Sequence, residues 1–280
     1  LIWRISIYLN IVFQICYIKE VILKYIVGSG WWCNEKEDFR EKCYGDNFIR
    51  GKEFHQKWYE SLLLNTSPEE IYIVDSNSPI KPDFDKRIKF VSLNENGGHS
   101  TNLTGKYSGW MRSVIHSMSY AQCCDCDYYV YVEQDVLLKG KGIVEYCISK
   151  MTKPFMFGLC HDHHNPLQQS FFIIKKDCID IFLSRLYSIK YSDFDISPEK
   201  KFALATSPFF HLIPQILFVR PKSKLMLRLF WRFQNTLAKL LGSYNYLPIG
   251  YGRDRPINLS DNYYYFQHGT MEEINDYYVQ

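Results

Sequence analysis

Asp127-Tyr128-Tyr129-Val130-Tyr131-Val132-Glu133-Gln134-Asp135-Val136-Leu137-Leu138 is the stretch whose reading decides the fold. From Tyr128 to Val132 it carries no charge and is rich in residues that favour strands. A run without polar alternation reads as a strand buried on both faces, as in a parallel sheet covered by helices. It stops abruptly at Glu133-Gln134-Asp135. Two carboxylates at the end of a buried strand are costly unless something binds them. Ligands of open α/β sheets sit beyond the strand C-termini. Hard oxygen donors there suit Mg2+ or Mn2+ holding a diphosphate. Solvated acids at a strand end are the other reading, and the short pattern alone does not separate the two.

The flanking sequence supplies the context. Residues 23–28 read as a first strand, closed by Gly28-Ser29-Gly30, whose small side chains let a ligand or another backbone approach; Ser29 is placed among the ligand-binding residues. Residues 50–64 set Phe54, Trp58 and Leu62 at helical spacing. Asn65-Thr66-Ser67-Pro68 ends that helix. Glu70 to Asp75 is a short buried strand ending in an acid, and Arg87 to Leu93 is a third strand. Tyr107 to Gln122 is a helix with Trp110, Val114, Met118 and Ala121 on one stripe. Downstream, a helix near 142–151, strands at 154–160 and 170–174, a helix over 177–187 and a helix start at Pro198 complete the series. Alternating strands and helices predict an α/β fold with a mostly parallel central sheet flanked by helices.

Composition narrows the classes. At 280 residues, 46% hydrophobic and 22% charged, the chain is an ordinary globular protein. A net charge of +3 argues for no nucleic-acid partner. The nine cysteines are odd in number and irregularly spaced, unlike a disulfide framework, and predict a reducing, cytoplasmic setting. Residues 1–22 read as an apolar N-terminal helix, packed on the domain or lying at an interface, of a length that borders on a membrane span. From Lys200 to Arg253 there is no acid and there are nine Lys or Arg. Within it Lys224, Arg228, Arg232 and Lys239 recur at helical spacing among leucines and phenylalanines. Residues 220–241 therefore read either as a peripheral membrane contact or as a surface helix with a solvated basic face. The expected organisation is an apolar helix at 1–22, an α/β domain at 23–200, and a basic helical C-terminal extension at 201–280.

This arrangement resembles the GT-A glycosyltransferases, in particular the inverting family that builds polysaccharides and glycolipids. The likeness covers residues 23–175 in order of elements. The family has a strand ending in an acid near the base and ribose, here Ile71-Tyr72-Ile73-Val74-Asp75. Its Asn-x-Gly loop and Arg-bearing helix have counterparts in Asn96-Gly97-Gly98 and Arg112. Its Asp-x-Asp metal motif is matched by Glu133-Gln134-Asp135, with a departure at the first acid. Asp75-Ser76-Asn77-Ser78 also departs from the family's Asp-Asp-Gly-Ser. The resemblance implies Asp135 as the metal ligand, Glu133 as its helper and a late histidine, here His268, as a further ligand. It implies Mn2+ or Mg2+ as cofactor, a nucleotide-diphospho-sugar donor and a saccharide or lipid-linked acceptor. Arg253 and Arg255 would add phosphate contacts. An inverting transfer needs one base for the acceptor hydroxyl, for which Glu199 and Asp162 are the candidates.

Two rivals stand beside this reading. A sugar nucleotidyltransferase uses a similar sheet, but wants a Gly-rich phosphate loop with Arg and Lys that Gly28-Ser29-Gly30-Trp31-Trp32 lacks. A zinc-stabilised, membrane-associated interaction domain would use Cys123-Cys124-Asp125-Cys126 with Cys160-His161-Asp162-His163-His164. That spacing matches no common zinc pattern, and core cysteines are the simpler reading.

Overall fold

The computed structural model describes residues 23–34, 44–159, 165–253, 255, 257 and 261–279. The N-terminal apolar segment, Asp162 and the cysteine-histidine run at 160–164 lie outside the described residues. In chain order the regular elements begin β1 (Tyr25–Trp31), α1 (Lys52–Asn65), β2 (Glu70–Asp75), β3 (Ile88–Ser92), α2 (Gly109–Gln122), β4 (Tyr128–Val132) and β5 (Val136–Lys139). They continue α3 (Ile143–Ser149), β6 (Phe155–Gly158), β7 (Gln168–Lys175), α4 (Ile179–Ser188), α5 (Pro198–Ala205) and α6 (Lys224–Leu241). The last are β8 (Asn245–Tyr246), β9 (Gly250–Gly252), β10 (Tyr264–Gln267) and α7 (Met271–Val279).

The main sheet has seven strands in the order β3-β2-β1-β4-β7-β6-β8. All run parallel except β7, which is antiparallel to both its neighbours. The fold is the expected mixed α/β one, a mostly parallel sheet flanked by helices. β5, β10 and β9 form a second, three-stranded sheet. Strand alternation in β1 divides the core. Tyr25, Val27 and Trp31 join Phe54, Trp58 and Leu62 of α1 on one face. Ile26 joins Met111, Val114, Met118 and Ala121 of α2 on the other. Each such fully buried side chain contributes about 1.5–3 kcal/mol of transfer free energy. Met111 is buried with Val114, Met118 and Ala121 on the α2 stripe, in the place expected of Trp110, which is only partly buried.

Three expectations change. The first strand continues through the glycines to Trp31. Gly28 and Gly30 face α2: a Cβ on Gly28 would lie 2.3 Å from the Tyr129 hydroxyl, and one on Gly30 2.6 Å from Ser113 Oγ. The small residues are there for helix–sheet packing, not as a loop closing the strand. Second, the boundary at residue 200 falls inside α5. Residues 201–280 supply β8 to the main sheet and two of the three strands of the second, so they are built into the core. Third, Val136 to Lys139 leaves the main sheet after a turn closed by Val136 N–H donating to Glu133 O at 3.1 Å, and pairs with β10.

A buried ion pair anchors α2. Ser108 caps the helix through Met111 N–H, and its own N–H donates to Asp193 Oδ2 at 2.7 Å. Asp193 Oδ1 accepts from Lys201 Nζ at 2.7 Å, both side chains being 0% exposed. Burial lowers the Lys201 ammonium pKa, against the pull of Asp193. No helix among the described residues is long and apolar enough to cross a membrane.

Candidate functional site

The chain order of the strands locates the site. β1, β2 and β3 are laid down outward on one side, and β4 then returns to the other side of β1. The topological switch point lies between β1 and β4, where ligands of open parallel sheets bind. Glu133-Gln134-Asp135 begins at that end of β4. Gln134 clamps the neighbouring chain, accepting from Trp32 N–H at 2.7 Å and donating to Trp32 O at 3.0 Å. Ser29 Oγ donates to Val132 O at 2.7 Å, so this hydroxyl ties β1 to β4.

Antiparallel pairing of β10 with β5, with Gln267 opposite Val136, carries the far end of the chain to the same place. His268 Nε2 lies 3.4 Å from Asp135 Oδ2. Gln267, 1% exposed, donates from Nε2 to Glu133 Oε2 at 2.7 Å and to Asp135 Oδ1 at 3.1 Å. Its Oε1 accepts from Arg253 Nε at 2.7 Å. One buried amide thus fixes both acids and an arginine. His268 sits at φ 59°, a left-handed conformation that costs a non-glycine residue energy. The loop segment preceding α1 packs against it: the Tyr44 ring stacks on the imidazole at 5.4 Å, and Asp46 N–H donates to Gly269 O at 3.1 Å. Gly45 is needed there, because at φ +69° a Cβ would lie 2.5 Å from the His268 carbonyl.

Electrostatics set the state of the imidazole. Burial pushes the His268 pKa down to about 4; Asp135 pulls upward, while Arg253, Arg50 and Arg255 push further down. His268 is therefore neutral at pH 7, with a lone pair to offer. A neutral imidazole and a carboxylate oxygen 3.4 Å apart fit adjacent positions on a divalent cation, since donors about 2.1 Å from an octahedral ion sit about 3 Å from each other. No group of three or more His, Cys, Asp and Glu with metal-holding geometry occurs among the described residues. The donors converge as a pair, with Glu133 held by Gln267.

The remaining predicted residues are distributed as follows. Asp75, fully buried, accepts from Ser78 N–H at 2.9 Å and pairs with Lys81. It is opposite Trp31 in the register, beside the switch point. Asn96 Oδ1 accepts from Gly98 N–H at 2.9 Å and from Ser76 Oγ at 3.2 Å, building the loop before α2. Arg112 pairs with Glu95 at 2.7 Å. Arg255 is turned to Glu273 and to the carbonyl of Gly252 at 2.6 Å. Glu199 lies in the first turn of α5, and the contacts of the described residues do not join it to Asp135 or His268. Of the thiols, Cys126 is buried, with its Sγ against Ala121 O at 3.5 Å and its pKa pushed up to about 11 by burial.

Gln267, Gln134, Arg50 and Tyr44 were not singled out in the sequence. Gln267 stands next to His268, but glutamine carries no motif signal of its own. Arg50 faces the histidine only through a fold that brings residues 44–50 against 268–271.

No family model matches the chain, and no curated protein matches it. Among solved structures the chain is similar to a mannosyltransferase from Pyrobaculum calidifontis in complex with GDP-mannose and Mn2+, at 10% identity and a TM-score of 0.42. The match covers 66% of this chain and about half, 52%, of that one.

Proposed function

We propose that this chain is a glycosyltransferase of GT-A type that moves a sugar from a nucleoside-diphosphate donor to a hydroxyl of a saccharide or lipid-linked acceptor. The observation that carries the reading is the meeting of Asp135 and neutral His268 at the switch point, 3.4 Å apart although 133 residues separate them in sequence. Asp135 and His268 would hold a divalent cation, Mn2+ or Mg2+, and Gln267 would keep Glu133 and Asp135 aimed at it. Such an ion supplies neutralisation of the charge that grows on a diphosphate leaving group.

The protein's own residues supply the rest. Arg253, anchored through Gln267, and Arg50 bring positive charge to the diphosphate side. Asp75, Asn96 and Arg112, around the β2 end and the loop before α2, form the nucleotide side, with Ser29 bracing β1 between them. In the transfer, the bond from the anomeric carbon to the β-phosphate oxygen breaks and its electron pair leaves with the diphosphate. The acceptor oxygen bonds to that carbon, and its proton passes to a carboxylate, Glu199 or Asp162. An inverting transfer requires that carboxylate on the face of the sugar opposite the diphosphate.

The test is product analysis. The full chain is incubated with Mn2+ and a panel of nucleotide-diphospho-sugars, and the released phosphate species are separated. Nucleoside diphosphate release, lost in Asp135→Asn and His268→Ala, is expected. Conversion of the donor to a nucleoside triphosphate and a sugar 1-phosphate when pyrophosphate is added would instead make the chain a nucleotidyltransferase, and no release from any donor would refute the enzyme reading.

A further inference from the structure

The surface formed by α6 and the turn before it is not used by the proposed site. Gln234 and Ala238 of α6 are buried against the domain. Gln234 accepts from Lys200 Nζ at 2.6 Å through its oxygen and donates to Leu217 O and Val219 O, each at 2.9 Å. Those two bonds strap the 3-10 turn Gln215–Phe218 along the helix. On the outer side, Met226, Phe230, Phe233 and Leu240 are exposed, Phe233 by 55% and Leu240 by 77%. Their spacing places them on one stripe of the helix. Ile216, 62% exposed, and Leu217 stand on the strapped turn beside that stripe. Arg232 and Lys239 are exposed on the flank of the same helix. A globular surface rarely leaves this many large apolar side chains together in water without a partner.

We infer that this face is a docking surface for an anionic lipid membrane, with α6 lying in the interfacial plane and its apolar stripe inserted among the acyl chains. Charge complementarity selects this occupant. Arg220, Lys222, Arg232 and Lys239 are exposed along this segment, and no Asp or Glu occurs from Lys200 to Arg253, which suits a negative headgroup layer. A second copy docking through the same face would set like charge against like charge. The combination of a phenylalanine- and leucine-rich stripe with a basic flank is that of helices that lie on membranes. The inference stands apart from the glycosyltransferase reading, and either can fail alone.

The experiment is vesicle co-sedimentation of the full chain, paired with amide hydrogen exchange. Vesicles are phosphatidylcholine alone or mixed with phosphatidylglycerol. The wild type is expected to partition onto the mixed vesicles, less so as salt rises. It is expected to gain exchange protection over residues 215–240. Phe233→Ser with Leu240→Ser, and separately Arg232→Glu with Lys239→Glu, are expected to weaken partitioning about tenfold or more. All four positions are exposed, so urea unfolding is expected to match wild type. Because exchange is read at 215–240, binding through any other segment does not mimic the result. Equal partitioning of variants and wild type, no protection at 215–240, or indifference to lipid charge would overturn the inference. Protection that grows with protein concentration in the absence of lipid would also overturn it, in favour of a second copy.

Discussion

Replacing Gln267 by leucine probes how the two acids are held. The amide is 1% exposed and makes three bonds: 2.7 Å to Glu133, 3.1 Å to Asp135 and 2.7 Å from Arg253. A hydrogen bond to a charged group contributes about 1.5–3 kcal/mol net, and leaving its partner buried and unpaired costs a similar amount. Asp135 is 8% exposed, so water recovers part of the loss. The leucine packs where the amide stem packed. The expected cost is about 2–4 kcal/mol, the sum of two such bonds less that recovery. Urea unfolding followed by tryptophan fluorescence measures it, and Mn2+ titration of the same variant measures whether the acids still face the cation together. Gln267→Glu sharpens the test. Its new carboxyl, set against two others, titrates above the ordinary range, so its penalty is full above that raised value. The penalty is relieved as pH falls toward the unfolded value of about 4.3. A cost below about 0.5 kcal/mol for the leucine variant, within the range of an ordinary surface substitution, together with unchanged Mn2+ binding, would refute the claim that this amide organises the site.

The pH dependence of stability carries a second signature. His55 and His268 are both pushed down to about 4, burial being the first cause in each. Their folded forms bind fewer protons than the unfolded chain between about pH 6.5 and 4, so stability is expected to fall as pH drops through that window, by up to about 3 kcal/mol per histidine. His268→Asn should remove its share, and an unchanged urea midpoint from pH 7 to pH 5 in the wild type would contradict this. At the Asp193–Lys201 pair, Asp193→Ala strands a buried ammonium and is expected to cost about 3–5 kcal/mol, while Asp193→Leu with Lys201→Met costs much less than the two single changes together. Strict additivity in that cycle would sink the idea. Gly28→Ala forces a methyl to within 2.3 Å of the Tyr129 hydroxyl, with an expected cost of about 1–3 kcal/mol in unfolding experiments from overpacking. A neutral result would return Gly28 to a role in ligand approach.

The main sheet apart from the two-residue edge strand β8 was readable because its strands are apolar runs that end in acids or turns, as at Glu70–Asp75 and Tyr128–Val132. Helices α1 and α2 were readable from their periodicity. The second sheet was not. Val136 to Lys139 continues the apolar run of β4, and only the turn at Glu133–Asp135 sends it to a different sheet. β9 and β10 are short, and the pairing of β10 with β5, more than a hundred positions away, leaves no local trace. The site divides the same way. Glu133 and Asp135 announce themselves as charges after a buried strand. Gln267 does not, since a buried glutamine acquires meaning only from its three partners. The glycines of β1 were legible as close-approach positions, but what approaches them is the Tyr129 ring of β4 together with Ser113 and Ser117 of α2.

The central claim is that Asp135 and His268 hold a cation for a nucleoside diphosphate. Thermal unfolding of the wild type and of Asp135→Ala, with nucleoside diphosphates in the presence and absence of Mn2+, tests it most directly. A ligand at a hundred times its Kd stabilises the folded chain by about 2.7 kcal/mol. The wild type is expected to melt higher only when nucleotide and Mn2+ are both present, and Asp135→Ala is expected to lose that gain. A wild type that responds to no nucleotide, or an alanine variant that responds as the wild type does, would contradict it.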